Sequence, residues 1–266
     1  VLKTDPTLNS LYQLSPTQLQ KILHLPLQKI ESLYKNLHST SIGSMLEQYK
    51  CLNIQCITVF DPSYPLLLKE IYNPPWVLYA KGNVDLLQSS RKIGMVGTRI
   101  PTAYGKRMTE YFVRSLAQKD WTTVSGLASG IDSIVHRSTL NHNGKTIAVI
   151  GSGFKHVYPK ENILLANHIA ADGLLLSEYP PDRYPQKWQF PERNRIISGL
   201  SLGTIIMEAK ERSGSLITAN LALEQNREVF ALPGPVDSEF SLGTNLLIQQ
   251  GAKMIIRPDD IFSEIG

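Results

Sequence analysis

Residues 93–96 read Ile-Gly-Met-Val, an apolar run with no polar alternation. That is the pattern of a strand covered on both faces in a parallel sheet. Gly97 ends the run and Thr98 and Arg99 follow. Pro101 and Thr102 then lead into a helical period carried by Met108, Phe112, Val113 and Leu116. A strand, a glycine turn and a helix N-terminus together predict an anion site. First-turn N–H groups lack partners, and the helix dipole favours negative charge. Arg99 adds a fork of donors suited to phosphate. An ordinary strand–loop–helix turn with a solvated arginine fits this stretch equally well.

The same alternation continues to the end of the chain. Apolar runs at 93–96, 122–124, 146–150, 174–177, 204–207 and 229–232, with a weaker one at 253–256, predict strands. Helical periods centre near residues 110, 135, 166, 197, 220 and 247. This predicts an α/β fold: an extended Rossmann-like, mostly parallel sheet with helices on both faces. Residues 57–87 read as the lead-in, with ITVF a strand, DPSYP a turn and NPPWVLYAKGN a second strand. Before them the pattern differs. Ser15 caps and Pro16 opens a helix carried on by Leu19, Ile22 and Leu23, and the spacing returns at Leu27, Ile30, Leu33 and Tyr34 and at Met45, Leu46 and Tyr49. We therefore expect a small all-helical domain over 1–55, SAM-like or helix-hairpin-helix-like, and the main domain over 56–266. The helical segment has no Gly-x-Gly hairpin, which favours a packing or interaction module.

Ligands of such sheets bind at the carboxyl ends of the strands, so the loops there form one rim. It carries Gly97, Thr98 and Arg99, then Ser125, Gly126, Ser129, Gly130, Asp132 and His136, then Gly151, Ser152, Lys155, Tyr158 and Lys160. The long loop after Ser177 brings Lys187, Trp188, Phe190, Arg193, Asn194 and Arg195, the loop after Met207 brings Ser213, Gly214, Ser215 and Thr218, and PGPVDSEFSLGTN follows Leu232. Small residues let backbone N–H groups approach a ligand, and cations beside aromatics suit a phosphate backbone with stacked bases. The same loops also hold Glu161, Glu178, Asp182, Glu192, Glu208 and Glu211. A basic pocket therefore requires folding to segregate the charges.

Composition narrows the reading only slightly. The 266 residues carry a formal charge of +4 and a pI near 8.9, which permits a nucleic-acid partner without requiring one. Cys51 and Cys56 form neither a zinc site nor a disulfide framework and fit a cytoplasmic protein. No apolar run approaches a membrane span, and the opening VLKTDPTLNS lacks signal-peptide character. Asn143-Gly144-Lys145-Thr146 ends like a P-loop, but Thr139 stands at its first glycine position and a strand follows. No G-x-G-x-x-G is complete, and Gly126–Gly130 misses a nucleophile elbow by one position. Asp132 and His136 share a helix face without a third partner and read as a helix-start carboxylate and a packed histidine. No cofactor or metal is expected.

Taken together, GTR at 97–99, SGLASGID at 125–132, FPERNRIISGLS at 190–201, SGSLITA at 213–219 and the PG at 233–234 resemble the bacterial DNA-processing protein A family, also called Smf. The resemblance implies single-stranded DNA binding, dimerisation, and delivery of the protected strand to the RecA recombinase during natural transformation. By motif it implies Arg99, Lys160 and Lys187 on phosphates and Phe190 stacking a base. Ser129 stands where family members often carry a basic residue. The alternative is a nucleotide-processing enzyme, such as a nucleoside-monophosphate glycohydrolase, with Glu208 as its acid. For the dimer, Thr244 is expected to cap a helix that offers Asn245, Leu247, Ile248 and Gln249, with Met254 beyond it. Ile248 lies about 100° round the helix from an inward Leu247 and is expected to point outward.

Overall fold

The computed structural model describes residues 9–39 and 41–266 and divides into two compact units, Val1–Leu52 and Asn53–Gly266. The first unit holds a 3-10 turn at Asn9–Tyr12 and helices α1 (Pro16–Leu23), α2 (Leu27–Ser39) and α3 (Ile42–Cys51). Ser15 and Gln18 form the reciprocal capping box of α1. Leu19 and Ile30 are fully buried.

In the second unit the chain runs β1 (Gln55–Thr58), α4 (Leu66–Lys69), β2 (Val77–Gly82), β3 (Lys92–Val96), α5 (Ala103–Gln118) and β4 (Thr122–Ser125). It continues through α6 (Ile131–Asn141), β5 (Lys145–Ile150), α7 (Ile163–Asp172), β6 (Leu174–Ser177), α8 (Gln189–Gly199) and β7 (Gly203–Ile206). It ends with α9 (Gly214–Glu224), β8 (Glu228–Ala231), α10 (Leu242–Gln249), β9 (Lys253–Met254) and α11 (Asp259–Ile265). The nine strands form one sheet in the order β1-β2-β6-β5-β4-β3-β7-β8-β9. Every pairing from β6 to β9 is parallel, and β1 and β2 extend the sheet antiparallel beyond β6.

β3 shows why its sequence lacks alternation. Ile93 and Met95 join Phe112, Val113 and Trp121 in the apolar cluster on one face, while Val96 joins Ile196, Ile197 and Ile206 on the other. Both faces are dry, so both parities of the strand are apolar. Each fully buried large side chain of this kind contributes about 1.5–3 kcal/mol. Lys92 is the exception. Its buried ammonium donates to the carbonyls of Leu87 (2.9 Å) and Ser89, and burial lowers its pKa to about 8.

From β3 the chain winds outward through β4 and β5, then returns across β3 to β7. The switch point thus lies between the carboxyl ends of β3 and β7.

The C-terminal edge departs from expectation. Thr244 does not cap α10: the helix begins at Leu242 after Ser241, and Thr244 lies within it, its hydroxyl donating to Ser241 O at 3.1 Å. Leu247 is buried as expected, but Ile248 is half-buried and packs on the core rather than facing outward. Asn245 exchanges hydrogen bonds with Gly234 N and O (3.2 and 3.0 Å), so it pins the loop after β8. Gln249 and Met254 are exposed.

Candidate functional site

A cleft of about 750 Å³ opens at the switch point. Its lining carries five cations, Arg99, Lys187, Arg193, Lys210 and Arg212, against one carboxylate, Asp132, with Lys210 also paired to Glu239 (2.8 Å) outside the lining. Glu161, Glu178, Asp182, Glu192, Glu208 and Glu211 all stand outside the lining. Folding therefore segregates charges that nearly cancel along the chain, and the low-dielectric walls strengthen the resulting field.

The turn after β3 holds Arg99 at the mouth of the cleft. Thr98 N–H donates to Glu208 O (2.8 Å), and Thr98 O accepts from Ile131 N–H (3.1 Å). Gly130, at φ +80°, brings the start of α6 against the Thr98 and Arg99 carbonyls, where a Cβ would collide with backbone.

The N-terminus of α5 is not an open anion site, contrary to expectation, because the buried Glu208 carboxylate already occupies it. Thr102 N–H donates to Glu208 Oε2 (2.9 Å), and the Thr102 hydroxyl donates to Oε1. A carboxylate of this chain satisfies that helix end. The open N-terminus is that of α9. Ser213, Gly214 and Ser215 line the cleft there, with Ser213 Oγ accepting from Ser215 N–H (3.4 Å).

The first turns of α8 supply the other wall. Phe190 lies over Gly151, where a Cβ would come within 3.0 Å of the ring, and beside Tyr158 at 5.5 Å between ring centroids. Asn194 lines the cleft beside them. Arg193 is buried on the floor above Gly126, with Nη1 donating to Val149 O (2.7 Å). Burial lowers its pKa to about 10, with Asp132 opposing the shift and Arg99 adding to it, so it remains charged at neutral pH. Its Nε has no hydrogen-bond partner among the described residues. Burial also raises the Asp132 carboxyl, opposed by Arg193 and by Ala128 N–H at 3.3 Å. One turn on, His136 Nδ1 meets Thr146 Oγ1 at 2.7 Å, and burial, then Arg193, pushes its pKa down to about 3. The imidazole is neutral at physiological pH. Among the described residues no cluster of His, Cys, Asp or Glu is placed to hold a metal.

Several residues assigned to the rim by sequence are engaged elsewhere. Ser125 Oγ donates to Met95 O (2.6 Å) and Ser152 Oγ to His156 O (2.8 Å), both buried. Arg195 forms a bidentate pair with Glu178 (2.6 and 2.9 Å) and donates to Asn73 O (3.0 Å). It is a structural arginine, not a phosphate ligand. Lys160 is exposed on the 3-10 turn Lys160–Asn162, outside the lining. Ser129 donates to Glu161 (2.7 Å). Sequence reasoning missed Lys210 and Arg212, which sit in EAKER, where Glu208 and Glu211 cancel them in a linear sum.

A family model for DNA recombination-mediator protein A matches residues 55–266. The chain is 51% identical to DNA processing protein DprA of Bacillus subtilis over 237 residues, 89% of this chain and 78% of that protein. The crystal structure of DNA processing protein A from Streptococcus pneumoniae superposes with a TM-score of 0.81 at 37% identity, covering 98% of this chain and 95% of that one. DNA processing protein A from Helicobacter pylori, solved for its single-stranded DNA binding mode, superposes with a TM-score of 0.72 at 34% identity, covering 79% and 95%.

Proposed function

Because this chain belongs to the DNA recombination-mediator protein A family, we propose that the cleft at its switch point binds single-stranded DNA without catalysing a reaction on it. The observation that carries this is the lining: five cations against one carboxylate, the open α9 N-terminus and the Phe190 ring. Arg99 and Lys187 hold phosphates, with Arg193 as a charged floor, and Phe190 stacks an unpaired base. Sequence-independent phosphate contacts and a stacking platform suit any strand presented single-stranded. Glu208, the acid of the glycohydrolase alternative, is bonded into α5 and lies outside the cleft lining.

The test is titration of labelled oligonucleotide at several salt concentrations. Arg99→Ala is expected to weaken binding of every sequence about equally and to reduce the slope of log K against log salt by about 0.7. An unchanged slope in a folded variant removes Arg99 from the site. Nucleoside monophosphates should release no free base, and release that Glu208→Gln abolishes would favour the enzyme.

The proposal extends to assembly and role. The strand is protected in the cytoplasm and delivered to the RecA recombinase during natural transformation, a role supported by the family's recombination-mediator description. The chain acts as a homodimer through the α10–β9 edge. Support for this is the exposed apolar surface of Leu242, Met254 and Ile256 beside a strand of two residues at the sheet's edge. No helix among the described residues is long and apolar enough to cross a membrane.

A further inference from the structure

Glu208 is deeply buried, at 2% exposure, and forms no ion pair among the described residues. Its hydrogen bonds among the described residues all go to one short segment. Its backbone carbonyl accepts from Thr98 N–H (2.8 Å), at the start of the Arg99 turn. Its carboxylate accepts from Thr102 N–H (2.9 Å) and from the Thr102 hydroxyl, at the end of that turn. Thr102 Oγ also accepts from Gly105 N–H (3.1 Å), which ties the same carboxylate to the first turn of α5. Both ends of the five-residue turn 98–102 are thus fastened to one residue at the carboxyl end of β7.

Gly105 completes the arrangement. A Cβ at that position would overlap Glu208 Oε2 and Cδ. The glycine costs the helix intrinsic stability relative to alanine, and the space it leaves is filled by the carboxylate.

We infer that Glu208 is a positioning residue for phosphate binding: it clamps the turn 98–102 so that Arg99 projects into the cleft, and it closes the α5 N-terminus to a phosphate, leaving the α9 N-terminus open. The physical reason is preorganisation. An arginine on a free loop spends part of its interaction energy on ordering the loop, whereas a clamped turn presents the same fork already oriented. A carboxylate fixed at the α5 N-terminus also repels a second anion there, so the strand's phosphates are directed to the α9 side of the cleft. This inference rests on the single-strand reading for its binding assays, but the clamp has a readout that needs no DNA.

Gly105→Ala is the decisive variant. An alanine in the first turn of an ordinary helix is neutral or stabilising, and here the colliding group is the far end of a flexible side chain, so the chain folds with the carboxylate displaced. The clamp predicts affinity for a short oligonucleotide lower on the order of tenfold, the scale of one charged hydrogen bond. The salt slope should fall by about 0.7, as for loss of one phosphate contact. In an Arg99→Ala background, Gly105→Ala should cost nothing further, because the contact it misplaces is already gone. Glu208→Gln keeps one oxygen for the Thr102 N–H, but its amide nitrogen cannot accept from the Thr102 hydroxyl and the charge is gone, so its affinity should fall between those of wild type and Gly105→Ala. Without DNA, amide exchange at Thr102 should be slow in wild type and fast in Gly105→Ala, while the α9 amides are unchanged. Wild-type affinity and slope in Gly105→Ala, equal losses in both backgrounds, or a Thr102 amide indifferent to the substitution would each overturn the clamp. A wild type that binds no oligonucleotide yet shows the Thr102 difference would overturn the single-strand reading and leave the clamp standing.

Discussion

Arg193 and Arg195 stand two positions apart on α8 and serve opposite purposes. Two residues turn a helix by about 200°, so the two side chains leave on different faces. Arg193 reaches the cleft floor, and Arg195 turns to Glu178 and the Asn73 carbonyl. Removing one partner of such a buried pair leaves an uncompensated charge. Arg195→Ala should therefore lower unfolding free energy in urea by about 3–5 kcal/mol while the folded fraction still binds oligonucleotide normally. Phe190 behaves differently, since a stacking ring needs an unpaired base. Phe190→Ala should cost about 1–3 kcal/mol in single-strand binding and far less on duplex; wild type binding duplex equally tightly would refute the stacking role. His136 gives a pH signature. Its folded pKa, about 3, lies below its ordinary value of 6.5, so between these limits the unfolded chain binds a proton that the folded chain does not. Its contribution to stability is full above pH 6.5 and is lost as pH falls toward 3. Asp132, raised by burial, acts in the opposite sense above the ordinary aspartate range. The difference between wild type and His136→Gln isolates the histidine: urea midpoints at pH 7 and pH 4 should separate less in the variant.

At the scale of elements, two helix N-termini compete for negative charge at the switch point. α5 is satisfied from within by Glu208, and α9 opens on the cleft. A carboxylate placed on α9 should favour its dipole and oppose a phosphate. Gly214 is exposed, and a side chain there meets no heavy atom within 4 Å. Gly214→Asp is expected to raise stability by roughly 0.3–1 kcal/mol while weakening single-strand binding. Thermal unfolding and oligonucleotide titration moving in opposite directions would identify the α9 N-terminus as part of the site. Binding that strengthened or stayed constant would exclude it.

At the scale of the molecule, the proposed dimer would place a second copy on the β9 edge. An isologous contact there would put two clefts on one particle and raise avidity on a long strand without new contacts in either cleft. Ile248 packs on the core, so its substitution would perturb folding together with assembly. Met254, 51% exposed, is the cleaner position. Met254→Arg should yield a folded monomer that keeps short-oligonucleotide affinity and loses tight binding to long strands. Sedimentation of wild type as a monomer at micromolar concentration would refute the dimer.

What the sequence by itself determined was everything encoded locally. Strand and helix alternation from residue 92 onward, the doubly covered β3 and the Ser15 capping box all follow from periodicity and capping chemistry acting over a few residues. The rim was legible for the same reason, because a parallel sheet places every strand's carboxyl end on one side. Tertiary structure alone decided which charges face the cleft. EAKER reads as neutral along the chain, yet it buries Glu208 in α5 and turns Lys210 and Arg212 to the cleft. It also decided that Ser125, Ser152 and Arg195 are spent on the interior, that Lys160 stands outside the lining, and that α9 rather than α5 offers the open N-terminus. The Glu208, Ser125 and Arg195 bonds join residues 106, 30 and 17 positions apart in the chain. A linear pattern carries no term for a partner that only folding brings within bonding distance.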